Sequence, residues 1–511
     1  MLEKLKDLSN KLVDIFLVVL IIFSVLGSIG ELTNSFFHLS SFGIEVLIVS
    51  YFLIVSLLFV SRKTKKIRKY IAIFLHENLN KILVILSIII IAWQVYLAGT
   101  LVSTAVWEPA GMLERVIDPA NASFPANAYF SNMPNNFLFF LIEKLLWIIF
   151  SKPNVSLFTF LLSLVNILML DIAIYLMFVS LERLVNRRTG VIFLFLSAVL
   201  IGVSPWITIP YTDIWGFALS SMSFYTMLKL YDSKKTVSKV VLAVYLGVLL
   251  FVSYNLKASL VILYIAGMIV WTISLCSGKR NIKWGSVLIA IMSCLILSVS
   301  FSVYKNNNSL VEIDKTKAFP IMHYAAIGIV GTGSYNTRDA MADRAIKDPK
   351  KRQKRDVDAF TERLKSFGNA GNYARFLAQK QIYNSADGTF AWAYEGYTKL
   401  LYPKKNNIAQ RLFFKEGYAT KSERNSSFTF PIQIIWTVTL LLVLFTLLDS
   451  SLTVQIFKYS VVGFFMFLLL FEGGRSRYLI QFLPFLIALG SIGADKLIIK
   501  LKQIFYSNHF N

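Results

Sequence analysis

The chain has 511 residues, of which 56% are hydrophobic and only 16% charged. Soluble globular chains carry roughly 25% charged residues, and at a mean hydropathy of +0.61 this one has too little polar surface to face water on all sides. That excludes a soluble enzyme, a disordered chain and a base-reading nucleic-acid binder. The 52 Lys and Arg against 29 Asp and Glu, a formal charge of +23, instead suit basic cytoplasmic loops held against anionic membrane lipid.

A helix needs about 20 mostly apolar residues to cross a bilayer. Stretches of that kind run at 12–29, 43–61, 82–102, 156–180, 190–208, 213–231, 238–253, 258–276, 284–304, 429–449, 453–472 and 478–496. The charged start Met1-Leu2-Glu3-Lys4-Leu5-Lys6 leads into the first stretch without a small-residue cleavage site, so it reads as an anchor and not as a removed signal peptide. Short basic loops set the orientation. Arg62 to Lys69, Arg183 to Arg188, Lys234-Lys235, Lys279-Arg280 and Lys496 to Lys502 are expected on the cytoplasmic side. This closes only if Phe137 to Phe150, which carries Glu143 and Lys144 between Pro134 and Pro153, does not cross. It reads as an interfacial or re-entrant helix.

The expected fold is therefore an all-α polytopic membrane protein with about twelve transmembrane helices and both termini inside. An interfacial helix sits in the first outer loop, 103–156, and a mainly helical extracytoplasmic segment spans 305–428. Residues 1–81 form a two-helix extension, 82–304 a membrane core, and 429–511 the last helices and a basic tail. Within 305–428, Arg352 to Phe367 alternates charge and apolarity at helical spacing until Gly368-Asn369-Ala370-Gly371-Asn372 breaks it. The two cysteines, Cys276 and Cys294, and the four histidines, His38, His76, His323 and His509, show no ligand spacing. No phosphate-cradling glycine loop or GxSxG is present, so a nucleotide-driven pump or serine hydrolase has no support.

Charges beside apolar helices are costly, which makes each a functional candidate. Trp107-Glu108-Pro109-Ala110 puts a carboxylate and an aromatic ring at the outer surface, where Glu108 is either a helix-start acid or a base. Asp213, in Tyr211-Thr212-Asp213-Ile214-Trp215, is either an N-cap or a second acid converging on the same site. Lys257 either snorkels or binds an anion. Arg475 and Arg477, in Glu472-Gly473-Gly474-Arg475-Ser476-Arg477-Tyr478, make a second outer cationic pair suited to phosphate oxygens.

Taken in order, these segments resemble the polytopic GT-C-type glycosyltransferases of Gram-positive bacteria. The series is Trp107-Glu108, then Tyr129-Phe130-Ser131-Asn132-Met133-Pro134-Asn135-Asn136, then Pro210-Tyr211-Thr212-Asp213 and Lys257. It ends with Asn384-Ser385-Ala386-Asp387-Gly388-Thr389-Phe390-Ala391-Trp392 and Gly474-Arg475-Ser476-Arg477-Tyr478. The resemblance covers residues from about 82 to the end. It implies transfer of a sugar from a polyprenyl-phosphate carrier to a cell-surface glycopolymer or glycolipid outside the membrane, with inversion. Glu108 stands where the family usually has Asp and would be the base, and Asp213 would be a second active-site acid. Lys257, Arg475 and Arg477 would hold the donor phosphate, and Trp107, Asn135, Asn136, Tyr211, Asp387 and Tyr478 would contact substrate. No cofactor is demanded, although two acids leave a divalent metal open. Rival readings are a transporter or flippase for lipid-linked sugars, favoured by polar or broken helices at mid-membrane, and a non-catalytic component of surface-polymer assembly.

Overall fold

The computed structural model describes residues 2–37, 56, 65–105, 107–276, 284–395, 398–404, 406–414 and 426–507. Among these, eight helices are long and apolar enough to cross a membrane: Lys6–Phe37, Glu77–Thr100, Val155–Leu184, Thr236–Leu256, Trp284–Asn307, Phe428–Thr446, Leu452–Leu470 and Ser476–Ile504. The chain is a multi-pass, all-α membrane protein. The stretch expected to cross at 43–61 lies outside the described residues. Phe137–Ile149 forms a helix of 13 residues, too short to span.

Three other expected spans are not among these eight. The 190–208 stretch is broken: helix Arg187–Ser197 widens into a π turn at Ala198–Gly202 and tightens to 3-10 at Pro205–Thr208. Pro205 and Pro210 each withhold an amide proton from a continuing helix. Thr212–Asp232 is a full helix of 21 residues, with Ser220, Ser221, Ser223 and Thr226 all buried. Protein rather than lipid surrounds it, so small polar residues serve for close packing. Ala258–Ile273 is a shorter apolar helix.

Burial separates centre from periphery. Leu452–Leu470 and Ser476–Ile504 are mostly buried inside the protein, whereas Trp284–Asn307 is mostly exposed on its periphery. On the outer helices Ile85, Ile88, Ile89, Leu288, Leu295 and Ile296 are exposed. Such a belt would be a liability in water and is the expected surface in lipid. The first helix is no appendage. Leu17 and Ile21 are fully buried, Ser24 hydrogen-bonds Ser385 at 2.6 Å, and Ser28 reaches Thr437 at 2.7 Å. Basic residues meet acids at one end of the bundle, in Arg183–Asp232 (2.6 Å), Arg188–Asp495 (2.9 Å), Lys496–Asp449 (2.5 Å) and, within the helix Leu452–Leu470, Lys458–Asp14 (2.6 Å). The opposite end of the Thr212–Asp232 helix carries Asp213.

The 305–428 segment is mainly helical where it is described. Asp348 caps helix Pro349–Ser366 by accepting from the amides of Lys350 and Lys351. Gly368 ends that turn at φ +74°, a left-handed conformation that favours glycine. Asn369 then caps Ala370–Ser385. One strand pair ties this segment to the first loop: β1 (Ser103–Ala105) runs antiparallel to β2 (Thr398–Leu400), with Ser103 opposite Leu400.

Candidate functional site

The broken helix sets up the site. Its freed backbone must find partners inside the membrane, and buried side chains supply them. Asn166 donates to the carbonyls of Ile207 (3.2 Å) and Ile209 (2.8 Å) while its Oδ1 accepts from Trp215 Nε1 at 3.1 Å. Gln94 donates to Asp171 and to the Gly202 carbonyl at 3.0 and 3.1 Å. The chain therefore leaves the break in one defined direction and delivers Tyr211 and Asp213 to the head of the next helix.

There Asp213 is 3% exposed. Its Oδ1 pairs directly with Lys257 Nζ, and its Oδ2 faces Arg477 Nε at 3.7 Å. Arg477 lies over the Trp107 ring, 4.3 Å from its centroid, and its Nη1 is 3.2 Å from Glu395. Arg475 Nε approaches the other Glu395 oxygen at 3.5 Å. Trp107 meets Tyr211 edge-on at 5.0 Å. Asn136 donates to the hydroxyl of Tyr211 at 3.1 Å and also to that of Tyr129, and Asn135 donates to Asn136 at 3.4 Å. Lys257 and Arg477 both lie over Tyr478, at 5.7 Å, and the Tyr478 hydroxyl donates to Glu472 at 2.8 Å.

Glu108 begins helix Glu108–Ile117 with no ion pair or hydrogen bond to its carboxylate among the described residues. It is close enough to act on the neighbouring phenols. Burial first, and then the Glu108 charge, pushes Tyr129 above its ordinary range. Tyr211 is pushed up by burial, by Tyr129 and by Glu108, against the opposing charge of Arg477. Glu108, Asp213, Lys257 and Arg477 thus share one neighbourhood built from segments distant in sequence.

Asp387 has a different employment from direct contact with the cations. Its Oδ1 accepts from the Thr389 amide and hydroxyl (both 2.7 Å), and its Oδ2 from the Ala391 amide (2.8 Å) and Ser476 hydroxyl (3.5 Å). It folds the turn that places Glu395, and it touches the arginine loop from behind. Gly474 shapes that loop. At φ +66°, a Cβ there would lie 2.2 Å from the Thr332 carbonyl oxygen, so glycine alone fits. Lys380, 1% exposed, anchors the same loop. Its ammonium donates to the carbonyls of Gly328 (2.5 Å), Leu469 (3.1 Å) and Phe471 (2.6 Å). Burial pushes that ammonium down to about 7, opposed by Glu472. Neither Glu395 nor Lys380 stands out in the sequence, because each meets its partners across long separations.

A second polar cluster lies in the 305–428 segment. His323, Asp343 and Asp356 bring one ligand atom each within 4.8 Å of one another, all buried, and could hold a divalent metal ion. A metal thus has a candidate place, though not at Glu108 and Asp213. His323 Nδ1 and Asp343 Oδ2 are 2.6 Å apart, and Asp356 Oδ2 is buried without a hydrogen-bond partner among the described residues. Arg355 Nη1 already bridges Asp343 (2.7 Å) and Asp356 (3.0 Å), so an ion would share these carboxylates with a guanidinium. The residues are too far apart in sequence for any spacing motif. Burial and the adjacent Asp343 raise the Asp356 carboxyl to about 6. Without metal, that raised value favours the folded state at low pH, an advantage lost as pH rises through about 6. At pH 7.5 Asp356→Asn should therefore be neutral or stabilising when metal-free. If an ion binds, Mn²⁺ at about 100 times its dissociation constant should stabilise wild type by roughly 2.7 kcal/mol. The effect should be absent in Asp356→Asn and should fade below about pH 6. Thermal unfolding of the detergent-solubilised protein with Mn²⁺ or EDTA checks this.

A family model described as "Conserved hypothetical integral membrane protein" matches residues 3–498. The chain belongs to that family. The matched region includes the first helix as well as both arginines of the cationic loop. No curated protein and no solved structure matches the chain.

Proposed function

We propose that the protein is a glycosyltransferase that moves a sugar from a polyprenyl-phosphate donor to a glycopolymer or glycolipid acceptor at the outer face of the cell membrane. One observation carries this reading. Lys257 and Arg477 pair with Asp213, Arg475 joins them through Glu395, and Glu108, with no ion pair among the described residues, lies beside them, at the end of the bundle opposite the ion pairs of Arg183, Arg188, Lys458 and Lys496. The donor's tail would remain in lipid while its phosphate met the cations. The acceptor hydroxyl would attack C1 as Glu108 takes its proton, and the C1–O bond to phosphate would break with inversion. Leaving-group charge would fall on Arg475, Arg477 and Lys257, where a preorganised, poorly hydrated site has the most effect. Asp213 would orient Lys257 and Arg477. Membranes containing wild type should convert a labelled polyprenyl-phosphate sugar into labelled glycan, and membranes containing Asp213→Asn should not. Equal conversion by both would contradict the site.

The helix break at Ala198–Gly202 favours a second reading, movement of the lipid-linked sugar across the bilayer. The break also has a local use, since it delivers Tyr211 and Asp213 to the charged cluster.

A further inference from the structure

Resting on the phosphate-binding reading above, we propose that Glu395 is an internal stand-in for the donor phosphate, a tethered carboxylate that an incoming lipid phosphate must displace and that keeps free inorganic phosphate out. Its two oxygens are divided between two guanidiniums, Oε1 at 3.5 Å from Arg475 Nε and Oε2 at 3.2 Å from Arg477 Nη1. Two oxygens of a phosphodiester would take the same places.

The geometry also says which acid gives way. Tight charge-assisted contacts lie near 2.7–2.9 Å, and both Glu395 contacts are longer than that. Asp213, by contrast, is in direct contact with Lys257. The Glu395 side chain is 19% exposed and the Asp213 side chain 4%, so only Glu395 has a route to solvent when it lets go. Glu395 is also delivered on purpose-built backbone. Phe390 and Ala391 adopt φ +54° and +63°, unfavourable for residues with side chains. The Asp387 bonds to Thr389 and Ala391 hold that turn, and Trp206 Nε1 donates to the Thr389 carbonyl at 3.1 Å.

A tethered group competes at an effective concentration of millimolar or above. Inorganic phosphate has only its charge with which to displace it. A lipid phosphate adds the burial of its apolar tail, and so prevails. Glu395 thereby raises the binding threshold for both by the same factor, and only a phosphate that arrives on lipid binds well enough to pass it.

Equilibrium dialysis of the purified full-length protein in detergent tests this, with labelled farnesyl phosphate as probe and inorganic phosphate as competitor. Glu395→Gln should bind farnesyl phosphate about tenfold tighter than wild type, with inorganic phosphate competing at about tenfold lower concentration. Should the Gln variant not purify, Glu395→Asp withdraws the carboxylate by one methylene and should shift both values the same way by a smaller factor. Arg477→Lys is the control for the site itself and should weaken the probe. If Arg477→Lys weakens binding but the Glu395 variants bind no tighter than wild type, Glu395 is a structural partner and the proposal is overturned while the phosphate site stands. If wild type does not bind farnesyl phosphate, or Arg477→Lys binds it equally well, the phosphate reading fails and this proposal fails with it.

Discussion

Glu108→Gln should slow sugar transfer by about 10²-fold or more, because it keeps size and hydrogen bonding while removing the proton acceptor. Stability should hardly change. Glu108 makes no ion pair among the described residues, so no partner charge is stranded by the substitution. Glu108→Asp should retain part of the activity, since the shorter side chain keeps the carboxylate but sets its oxygens further back. The measurement is the initial rate of transfer from a polyprenyl-phosphate sugar in membranes, normalised to protein. A normal rate in Glu108→Gln would remove Glu108 from the chemistry and make Asp213, held between Lys257 and Arg477, the better candidate.

The second large effect belongs to Arg477. Truncation to Ala would leave Asp213 and Glu395 without a shared cation and strip Trp107 of its stacked guanidinium. Breaking a buried ion pair from one side costs about 3–5 kcal/mol, so Arg477→Ala reports mainly on folding. Arg477→Lys is the sharper test because it keeps the charge and loses the planar fork. Donor KM should rise by about tenfold, equivalent to 1.4 kcal/mol, with the melting temperature much less affected than in Ala. An unchanged KM would place the phosphate elsewhere.

Much of this architecture is legible from residues. All eight long apolar helices coincide with stretches whose hydropathy marks them, since lipid accepts no other surface. The caps at Asp348 and Asn369 and the stop at Gly368 follow from local backbone chemistry. Trp107, Glu108, Tyr211, Asp213, Lys257 and Arg477 stand out because charge beside an apolar helix is costly. Other features have no local signature. Hydropathy averages across the 187–209 break, although Pro205 and Pro210 mark its edges. The Lys380 latch joins carbonyls 52 to 91 residues away, and Glu395 lies beyond the Asn384 to Trp392 segment that marks its neighbourhood. His323, Asp343 and Asp356 come together only when three helical segments fold against each other.

Cleavage of the bond between the sugar and the lipid phosphate is what separates a transferase from a flippase, and detergent solution isolates it because there are no two sides to flip between. Purified wild type given a polyprenyl-phosphate sugar and an acceptor should release free polyprenyl phosphate in step with glycosylated acceptor, and Glu108→Gln should release about 10²-fold less. Wild type that releases none with several donor sugars and acceptors, yet moves the labelled lipid across vesicle membranes, would contradict the account and establish a transporter in its place.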